Sequence, residues 1–346
     1  MSGTSLDGLD LAYVEFSLGL KWSFELKSFQ TVRYSQQLKH VLGGAHKLTA
    51  TELMKLHTSY GNFIGKVCLR FIKAKGITKV NAIASHGHTI FHQPESGFTF
   101  QVGDGNAIHA ITTLPVVFDF RSLDVTLGGQ GAPLVPQGDR LLFPAYDACL
   151  NLGGIANVSM EVRGRRKAFD ICFCNMALNF LMSEVGESHD KNGRIASNGS
   201  LDKTLLDAIQ HAHRASRKGR LSIGRELFEK ELQPLLSDRR ISLPDRLRTV
   251  CEMIAIAVVD SLPRSGKPMK LLATGGGALN LFLIDLIRTK LRGKGEIVVP
   301  AKEIIEFKEA LIFAFLGVLR LRDEINVLRS VTRASRDSCS GVLIGG

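Results

Sequence analysis

Two short glycine-rich turns, each beside an apolar strand, constrain the fold of this chain more than any other feature. The first lies in MSGTSLDGLDLAYVEF, and the second lies about 150 residues later in ACLNLGGIANVSMEV. Each segment predicts a β-hairpin with a small polar tip. The distance between the two turns along the chain is about the length of one domain. We therefore expect two domains, each of which begins with such a hairpin. Two interpretations stay open: loops that approach one phosphate chain, or ordinary tight hairpins.

Strand and helix patterns alternate along the rest of the chain. Apolar residues recur with a helical period over residues 51–75, 175–185, 202–211, 246–262 and 303–322, and short apolar strands are VNAIAS, FTFQVG, PVVFDF and MKLLAT. Such alternation predicts an α/β fold. A length of 346 residues favours two domains, here 1–145 and 146–346, with the last helix a candidate to return to the first domain.

Composition excludes several classes of protein. The chain is 45% hydrophobic, yet its longest apolar runs are about half of the ~20 residues that a membrane helix needs. The first residues lack the features of a secretory signal, so a cytoplasmic protein is expected. Six scattered cysteines do not form a disulfide framework and are expected to be reduced. The net charge of +11 fits an anionic ligand, whereas one Trp and four Tyr argue against base stacking on nucleic acid.

The segment VVFDFRSLDVTLGGQGAPLVP, residues 116–136, carries the clearest chemical signal. An apolar strand leads Asp119, Arg121 and Asp124 into a glycine-rich loop. A carboxylate fixed at a strand end and open to substrate is what a general base requires. The alternative is structural, since either Asp could cap the next element or pair with Arg121.

Two loops upstream have a similar character. His86, His88 and His92 fall within seven residues, which permits a metal-site interpretation, but no further ligands are suitably spaced. Asp104, between two glycines, is typical of a turn, and it could instead hold a hydrated Mg²⁺ or orient a sugar hydroxyl. No metal ligand set is assigned from the sequence.

In the second half, a triple glycine follows an apolar strand and precedes an amphipathic helix. Gly275, Gly276 and Gly277 in ATGGGALN would let a nucleotide approach the backbone, although the motif is neither a Walker loop nor GxGxxG. The pair Cys172 and Cys174 permits a redox interpretation, but buried, inert thiols are favoured because no second pair is present.

Taken together and in order, these segments, with FD(x)₄N, GRELFEKE, KEALIFAFLG and SVTRAS, resemble the anhydro-N-acetylmuramic acid kinases of the sugar kinase, Hsp70 and actin superfamily. The resemblance runs from the first residue to about residue 335. It implies a two-domain, actin-like (ribonuclease H-like) kinase fold with an interdomain cleft, ATP and Mg²⁺ as cofactors, and a homodimer without nucleic-acid or membrane partners. The implied reaction phosphorylates the 6-oxygen of 1,6-anhydro-N-acetylmuramic acid while water opens the anhydro bridge.

The resemblance also implies roles for residues of this chain. Asp124 is the first choice and Asp119 the second for the base that deprotonates the attacking water. The sugar side comprises His86, Asp104, Arg121 and Gln130. The nucleotide side comprises Ser2, Gly3, Thr4, Ser5, Asp7, Gly8, Asn151, Gly153, Gly154, Asn157, Asp170, Asn175, Gly275, Gly276 and Gly277.

Three departures from the family pattern stand out. Family members usually carry a strand before the first motif, whereas here Met1 already lies in the loop. FDICFCN stands where FDTGPGN is common, and His88 stands where Gln is usual. Two alternatives therefore stay open: another sugar kinase or ATPase of the superfamily, or a catalytically inactive nucleotide-binding relative.

Overall fold

Strands occur in both halves of the chain, as the apolar patterns predict. The computed structural model describes residues 1–3, 6–217, 223–263 and 267–345. The strands are β1 (Gly8–Leu18), β2 (Trp22–Arg33), β3 (Ile83–Ser85), β4 (His88–Gln93), β5 (Phe98–Val102), β6 (Val116–Phe118), β7 (Ala148–Leu152), β8 (Ile155–Val162), β9 (Arg165–Phe173), β10 (Met269–Thr274), β11 (Gly295–Val298) and β12 (Val342–Ile344).

Helices separate most of these strands, which confirms the α/β class. They are α1 (Gln36–Gly44), α2 (Ala50–Ala74), α3 (Gly105–Thr112), α4 (Ser122–Thr126), α5 (Val135–Leu142), α6 (Asn175–Ser183), α7 (Lys203–Arg217), α8 (Arg225–Leu227), α9 (Gln233–Leu236), α10 (Leu243–Ser261), α11 (Leu281–Lys290), α12 (Lys302–Leu321) and α13 (Arg329–Thr332). Single turns of 3₁₀-helix lie at Ala45–Lys47, Pro94–Ser96, Lys191–Gly193, Ala196–Asn198 and Gly276–Leu279, and a π-helical turn lies at Phe228–Leu232.

The chain forms two compact units. One comprises Met1–Phe143 and Phe307–Gly346, and the other comprises Pro144–Glu306. The sequence-based division groups residues 146–346, whereas the contacts group residues 307–346 with the first unit. Helix α12 accounts for this return, because Gly317 packs so closely on β3 that a Cβ there would lie 2.7 Å from the Cβ of Ala84.

The first unit contains three small sheets. β1 and β2 form an antiparallel pair from Gly8↔Arg33 to Leu18↔Trp22. β3 runs parallel to β6 and β12 antiparallel to it, in the order β12–β6–β3, while β4 and β5 form a separate antiparallel pair. The core of this unit joins β1 to α2 through buried side chains, among them Leu9, Leu11, Leu56, Ile64, Val67 and Phe71.

The second unit is built on one five-stranded sheet in the order β11–β10–β7–β8–β9. β7, β10 and β11 are mutually parallel, and β8 and β9 continue the sheet as antiparallel strands. Helix α10 is buried along most of its length, including Leu247, Val250, Ile254 and Val258. Apolar strands covered by a helix of this kind are typical of α/β proteins.

Local signals explain where several helices begin. α2 follows Thr49, whose hydroxyl accepts from the Glu52 amide at 3.4 Å while the Glu52 carboxylate accepts from the Thr49 amide at 2.9 Å. This capping box satisfies two amides that the helix itself leaves unpaired. α10 follows Ser242, which caps the Asp245 amide, and Pro244 occupies its first turn.

Where the sequence predicts an element, its observed bounds differ from the prediction only locally. β3 covers three residues rather than the whole of VNAIAS, and α7 continues to Arg217 rather than ending at residue 211. Gly276 and Gly277 lie within a 3₁₀ turn rather than at the start of α11, which begins at Leu281 and is capped by Asn280. Within the described ranges no helix is both long and apolar enough to span a membrane. None of the six cysteines, all of which lie in described residues, forms a disulfide.

Candidate functional site

The first glycine-rich turn is closed by backbone hydrogen bonds at the start of the chain. The Met1 amino group donates to the Asp10 carbonyl at 2.7 Å, and the Asp10 amide donates to the Met1 carbonyl at 2.8 Å. Ser2 forms an antiparallel bridge with Leu9. Asp7 is exposed at the tip, and the predicted phosphate-loop residues Thr4 and Ser5 lie outside the described residues.

Two residues predicted for this phosphate loop have structural partners instead. The buried Ser2 hydroxyl accepts from the Tyr34 hydroxyl at 2.7 Å and lies 2.9 Å from His88 Nδ1. A Cβ on Gly8 would lie 2.6 Å from the Val32 carbonyl oxygen, so this glycine permits the pairing of β1 with β2. Gly3 and Asp7 are thus the described residues of this turn that stay available to a ligand.

His86 and Arg121, both predicted on the sugar side, form one buried cluster. The Arg121 Nε donates to His86 Nε2 at 2.9 Å, and its Nη1 donates to the Gly131 carbonyl at 2.6 Å. Burial, with the Arg121 charge next, holds the His86 pKa well below its ordinary value. Burial also lowers the pKa of Arg121 to about 10, which leaves it charged near neutral pH. The cluster therefore pairs a neutral imidazole with a guanidinium that supports the glycine-rich loop.

Asp124, predicted as the base, lies beneath that same loop. Its side chain is fully buried; Oδ1 accepts from the Thr332 hydroxyl at 2.7 Å and Oδ2 accepts from the Gly131 amide at 2.8 Å. The Gln130 amide donates to the Thr332 carbonyl at 2.8 Å, while the Gln130 side chain is exposed. This geometry orders the loop and leaves the carboxylate covered.

Asp119 and Asp104 are less buried than Asp124. Asp119 has a backbone φ of 51°, and its Oδ1 accepts from the Ser122 hydroxyl at 2.6 Å and the Ser122 amide at 3.2 Å. A non-glycine residue held in this region stores strain, which is a common property of functional sites. Asp104 caps α3 by accepting from the Asn106 amide at 2.9 Å, so its turn interpretation is the one that the structure shows.

The three histidines upstream do not form a metal site. His88 bonds to Ser2, and His92 Nδ1 lies 3.2 Å from the Thr99 hydroxyl. Burial lowers the pKa of both imidazoles below its ordinary value. Across the described ranges, no three His, Cys, Asp or Glu side chains are arranged to hold a metal ion.

The second glycine-rich turn is the tip of the β7–β8 hairpin, as predicted. The Gly153 carbonyl accepts from the Asn175 amide at 3.0 Å, and the Gly154 carbonyl accepts from the Cys174 amide at 2.9 Å. The Asn175 side chain donates to the Leu152 carbonyl at 2.9 Å. The hairpin tip is thereby fixed to the first turn of α6.

The triple glycine meets this hairpin. A Cβ on Gly275, where φ is 79°, would lie 2.4 Å from Asn151 Oδ1, and one on Gly277 would lie 2.8 Å from the Leu152 Cβ. Gly276 is exposed, and a Cβ there would meet its nearest neighbour, Asn175 Nδ2, at 3.5 Å. Gly275 and Gly277 are therefore required for close packing, whereas Gly276 presents open backbone.

Asp170 and the cysteines complete this part of the second unit. Asp170 pairs with Asn157 across β8 and β9, and its Oδ2 accepts from the Ile223 amide at 3.0 Å. Cys172 and Cys174 are buried, and burial raises the pKa of Cys174 to about 12. A buried thiol of such high pKa is a poor nucleophile, which favours the inert interpretation. The structure thus brings together most of the predicted nucleotide residues of this half: Asn151, Gly153, Gly154, Asn175, Gly275, Gly276 and Gly277.

Thr332 is one residue of this site to which the sequence assigns no role. It lies in SVTRAS, 208 positions from Asp124, and joins it only through the fold. Tyr34 is a second example, because its hydroxyl links Ser2 to the Tyr60 hydroxyl at 2.6 Å. Neither residue sits in a periodic or glycine-rich pattern, so only the quoted motif SVTRAS offered a signal.

Comparison with known proteins covers almost the entire chain. A family profile described as anhydro-N-acetylmuramic acid kinase matches residues 1–345. The anhydro-N-acetylmuramic acid kinase of Vibrio vulnificus strain CMCP6 is 33% identical over 359 residues, covering 99% of this chain and 96% of the relative. That of Vibrio cholerae is 33% identical over 361 residues, with the same coverage.

A solved structure with a partial likeness is the component A of (R)-2-hydroxyglutaryl-CoA dehydratase from Acidaminococcus fermentans. It is 12% identical, with a TM-score of 0.41, over 87% of this chain and 95% of that one. The family assignment depends on the sequence matches, which span both units. The chain therefore belongs to the anhydro-N-acetylmuramic acid kinase family and is a phosphotransferase.

Proposed function

We propose that this chain uses ATP to phosphorylate the 6-oxygen of 1,6-anhydro-N-acetylmuramic acid while water opens the 1,6-anhydro bridge. The full-length family match supports this reaction over other superfamily kinases or ATPases. Water adds to the anomeric carbon, the bond from that carbon to the bridge oxygen breaks, and the oxygen accepts the γ-phosphoryl group. The products are N-acetylmuramic acid 6-phosphate and ADP, and the proton of the attacking water passes to a carboxylate base.

One structural observation carries most of the proposal: the loop that ends in Gly131 is held from three sides. Arg121 donates to its carbonyl, Asp124 accepts from its amide, and Thr332 accepts from Gln130 through its backbone. A loop fixed in this way sets the backbone position from which the exposed Gln130 side chain extends. Proximity and orientation of that kind supply a large share of the rate enhancement in phosphoryl transfer.

The burial of the two candidate bases favours a different ranking from the family resemblance, which puts Asp124 first and Asp119 second. Both oxygens of Asp124 accept hydrogen bonds and the side chain is fully buried, so we propose that it positions the loop. A general base must reach the proton that it removes. We therefore propose a half-buried carboxylate for that step, namely Asp119 beside the loop.

The glycine cluster of the second unit supports ATP binding. Gly154 and Gly276 are exposed backbone positions beside Asn175, and small residues let backbone amides approach phosphate oxygens. Mg²⁺ commonly uses one or two carboxylates with water and phosphate oxygens, and exposed Asp7 is the carboxylate that we propose for it. Bound Mg²⁺ neutralises charge on the phosphates.

The proposal is tested by following ADP release from ATP with three sugars. The anhydro sugar is expected to support turnover. N-acetylmuramic acid and N-acetylglucosamine, which both lack the anhydro bridge, are expected to give only background ADP release. Equal ADP release with and without the anhydro sugar would contradict the proposal and favour an ATPase. ATP binding without product from any sugar would favour the inactive relative.

The ranking of the bases is tested with Asn variants of the two carboxylates Asp119 and Asp124. Asp119→Asn is expected to lower kcat by at least about 100-fold with the fold intact, because a positioned base contributes 10²–10⁴-fold. Asp124→Asn is expected to lower thermal stability together with activity. A folded Asp119→Asn enzyme with full kcat would exclude Asp119 as the base.

Oligomeric state and cellular location are further parts of this proposal. Family resemblance supports a cytoplasmic homodimer whose partners are the sugar and ATP, without nucleic acid or membrane. Sedimentation equilibrium is expected to give about twice the 37.8 kDa of the chain. A single species at the monomer mass would exclude the dimer.

A further inference from the structure

His92 lies beside the glycine-rich loop of the candidate site. It stands in β4, directly opposite Thr99 of β5, and its side chain is exposed. A Cβ built on Gly131 would lie 3.5 Å from His92 Cε1, which is an ordinary van der Waals contact. The edge of the imidazole ring therefore faces the loop that Arg121 and Asp124 hold in place.

The hydrogen bonds of Thr99 determine which ring nitrogen of His92 carries the proton. A hydroxyl group donates one hydrogen bond and accepts two. The Thr99 hydroxyl donates to the Phe91 carbonyl at 3.1 Å and accepts from Gln101 Nε2 at 2.8 Å. It can therefore only accept from His92 Nδ1, which lies 3.2 Å away, so Nδ1 is the protonated nitrogen. Nε2, the other nitrogen bonded to Cε1, is then an acceptor.

This acceptor is left over after the contacts within the protein are made. In the part of the chain that the structure describes, His92 Nε2 has no hydrogen-bond partner. His86 differs, because its Nδ1 lies 3.0 Å from the Gly87 carbonyl and its Nε2 accepts from Arg121 at 2.9 Å. Both nitrogens of His86 thus serve the protein, whereas His92 keeps one nitrogen for a ligand.

The chemistry of His92 Nε2 limits what it can bind. Partial burial, with the Arg121 charge next, lowers the pKa of His92 below its ordinary value, so the ring is neutral near pH 7. A bare ring nitrogen accepts from an O–H or N–H group. Phosphate and carboxylate oxygens that carry no proton cannot supply such a donor. An amino sugar supplies two kinds, its ring hydroxyl and its amide N–H.

We propose that His92 is a substrate-binding residue whose Nε2 accepts a hydrogen bond from a hydroxyl or amide N–H group of the amino sugar, and that Thr99 positions it. This inference rests on the proposed function and deepens it, because neither residue belongs to the sugar side that the family resemblance implies. A site that hydrogen-bonds a substrate O–H or N–H group discriminates strongly against analogues that lack the group.

Two substitutions of His92 separate sugar binding from a structural role. His92→Asn keeps a polar atom near the position of Nδ1, and thus the contact with Thr99, but has no atom at the position of Nε2. His92→Gln reaches the position of Nε2 and can accept a hydrogen bond there. A residue that only supports Thr99 would tolerate Asn at least as well as Gln, whereas a sugar ligand would tolerate Gln better.

The measured quantity is the Kd of 1,6-anhydro-N-acetylmuramic acid, obtained by calorimetry on the full chain without ATP. We expect His92→Asn to raise this Kd at least about fivefold, the effect of one lost hydrogen bond, and His92→Gln to keep most of the affinity. The KM for ATP and the thermal stability are expected to stay unchanged in both variants. His40→Asn, at an exposed histidine of α1, is the control.

Nitrogen NMR of the His92 ring tests the proton assignment. In the parent chain Nε2 is expected to be unprotonated, and its resonance is expected to shift when the sugar binds. Thr99→Val removes the acceptor for Nδ1, so we expect it to weaken sugar binding and to populate the form protonated at Nε2. Thr99→Ser, which keeps the hydroxyl, is expected to behave as the parent does.

Three results would overturn the inference while the proposed function stands. They are a protonated Nε2 in the parent chain, a Kd of the sugar in His92→Asn equal to that of the parent, and a lower kcat with an unchanged Kd. The third result would place His92 on the attacking water instead of the sugar. A parent chain that neither binds the sugar nor releases ADP in its presence would refute the proposed function, and this inference with it.

Discussion

Asp124 shows at the scale of a residue how a buried carboxylate orders a loop. Its Oδ1 lies 2.7 Å from the Thr332 hydroxyl oxygen, and its Oδ2 lies 2.8 Å from the Gly131 amide nitrogen. Removing one partner of such a buried group leaves an unpaired acceptor, which costs more than the bond itself contributes. The carboxylate, the hydroxyl and the loop are therefore expected to respond to mutation as one unit.

Thr332→Val removes the hydroxyl and keeps the shape of the side chain. We expect the free energy of unfolding to fall by about 1–3 kcal/mol, and kcat to fall while the KM for ATP is little changed. Urea unfolding and steady-state kinetics measure the two effects. Thr332→Ser, which keeps the hydroxyl, is expected to retain most of both. A valine variant as stable and active as the parent would remove Thr332 from the site.

His86 gives a prediction about pH. Burial and the neighbouring Arg121 lower its pKa in the folded state, whereas the unfolded chain has the ordinary value of 6.5. Below about pH 6.5 the unfolded state binds a proton that the folded state does not, so the free energy of unfolding falls as the pH drops. One such histidine contributes at most ~1.4 kcal/mol per pH unit.

His86→Gln is expected to reduce this slope between pH 6.5 and pH 5, with part of it kept by His57, His88 and His92, whose pKa values are lowered by burial too. Denaturant unfolding across that range measures the slope. The exposed His40→Gln variant is the control. An unchanged slope in His86→Gln would mean that this imidazole titrates alike in both states.

At the scale of elements, the second hairpin and the triple glycine form one packed corner. Gly275→Ala would bring a Cβ within 2.4 Å of Asn151 Oδ1 at a φ of 79°, whereas Gly276→Ala meets its nearest atom at 3.5 Å. We expect Gly275→Ala to lower the unfolding free energy by more than ~1 kcal/mol, because alanine is strained at this φ. Gly276→Ala is expected to keep stability but raise the KM for ATP.

Thermal unfolding and ATP titration separate these two effects. Gly19→Ala, with no atom within 4 Å of the added Cβ, controls for the general effect of replacing a glycine. An unchanged KM for ATP in Gly276→Ala would remove that glycine from the proposed nucleotide site.

The same elements show how far the sequence predicts the fold. α2 and β10 were predicted nearly to the residue, because a strong helical period and a continuous apolar run are local signals. β2 and β12 were not predicted: β2 alternates exposed and half-buried residues, and β12 is a three-residue strand that pairs with distant β6. Pairing over such separations leaves no local pattern.

The candidate site, too, has features that the sequence predicts and features that it does not. The glycine motifs pointed to the second hairpin and to Gly275, because those residues are needed where backbones meet. The burial of Asp124 and Ser2 could not be predicted, since their partners Thr332 and Tyr34 lie far along the chain. Chemistry-bearing residue types were thus visible in the sequence, whereas their accessibility depended on tertiary contacts.

At the scale of the whole molecule, the central claim is that bridge opening and phosphoryl transfer occur on one sugar. The most direct test is product analysis in water enriched in ¹⁸O, with mass spectrometry of the sugar phosphate and of inorganic phosphate. The account predicts one N-acetylmuramic acid 6-phosphate per ADP, with no ¹⁸O in its phosphate group because the bridge oxygen is the acceptor. ADP matched instead by ¹⁸O-labelled inorganic phosphate, with the anhydro sugar unchanged, would contradict it.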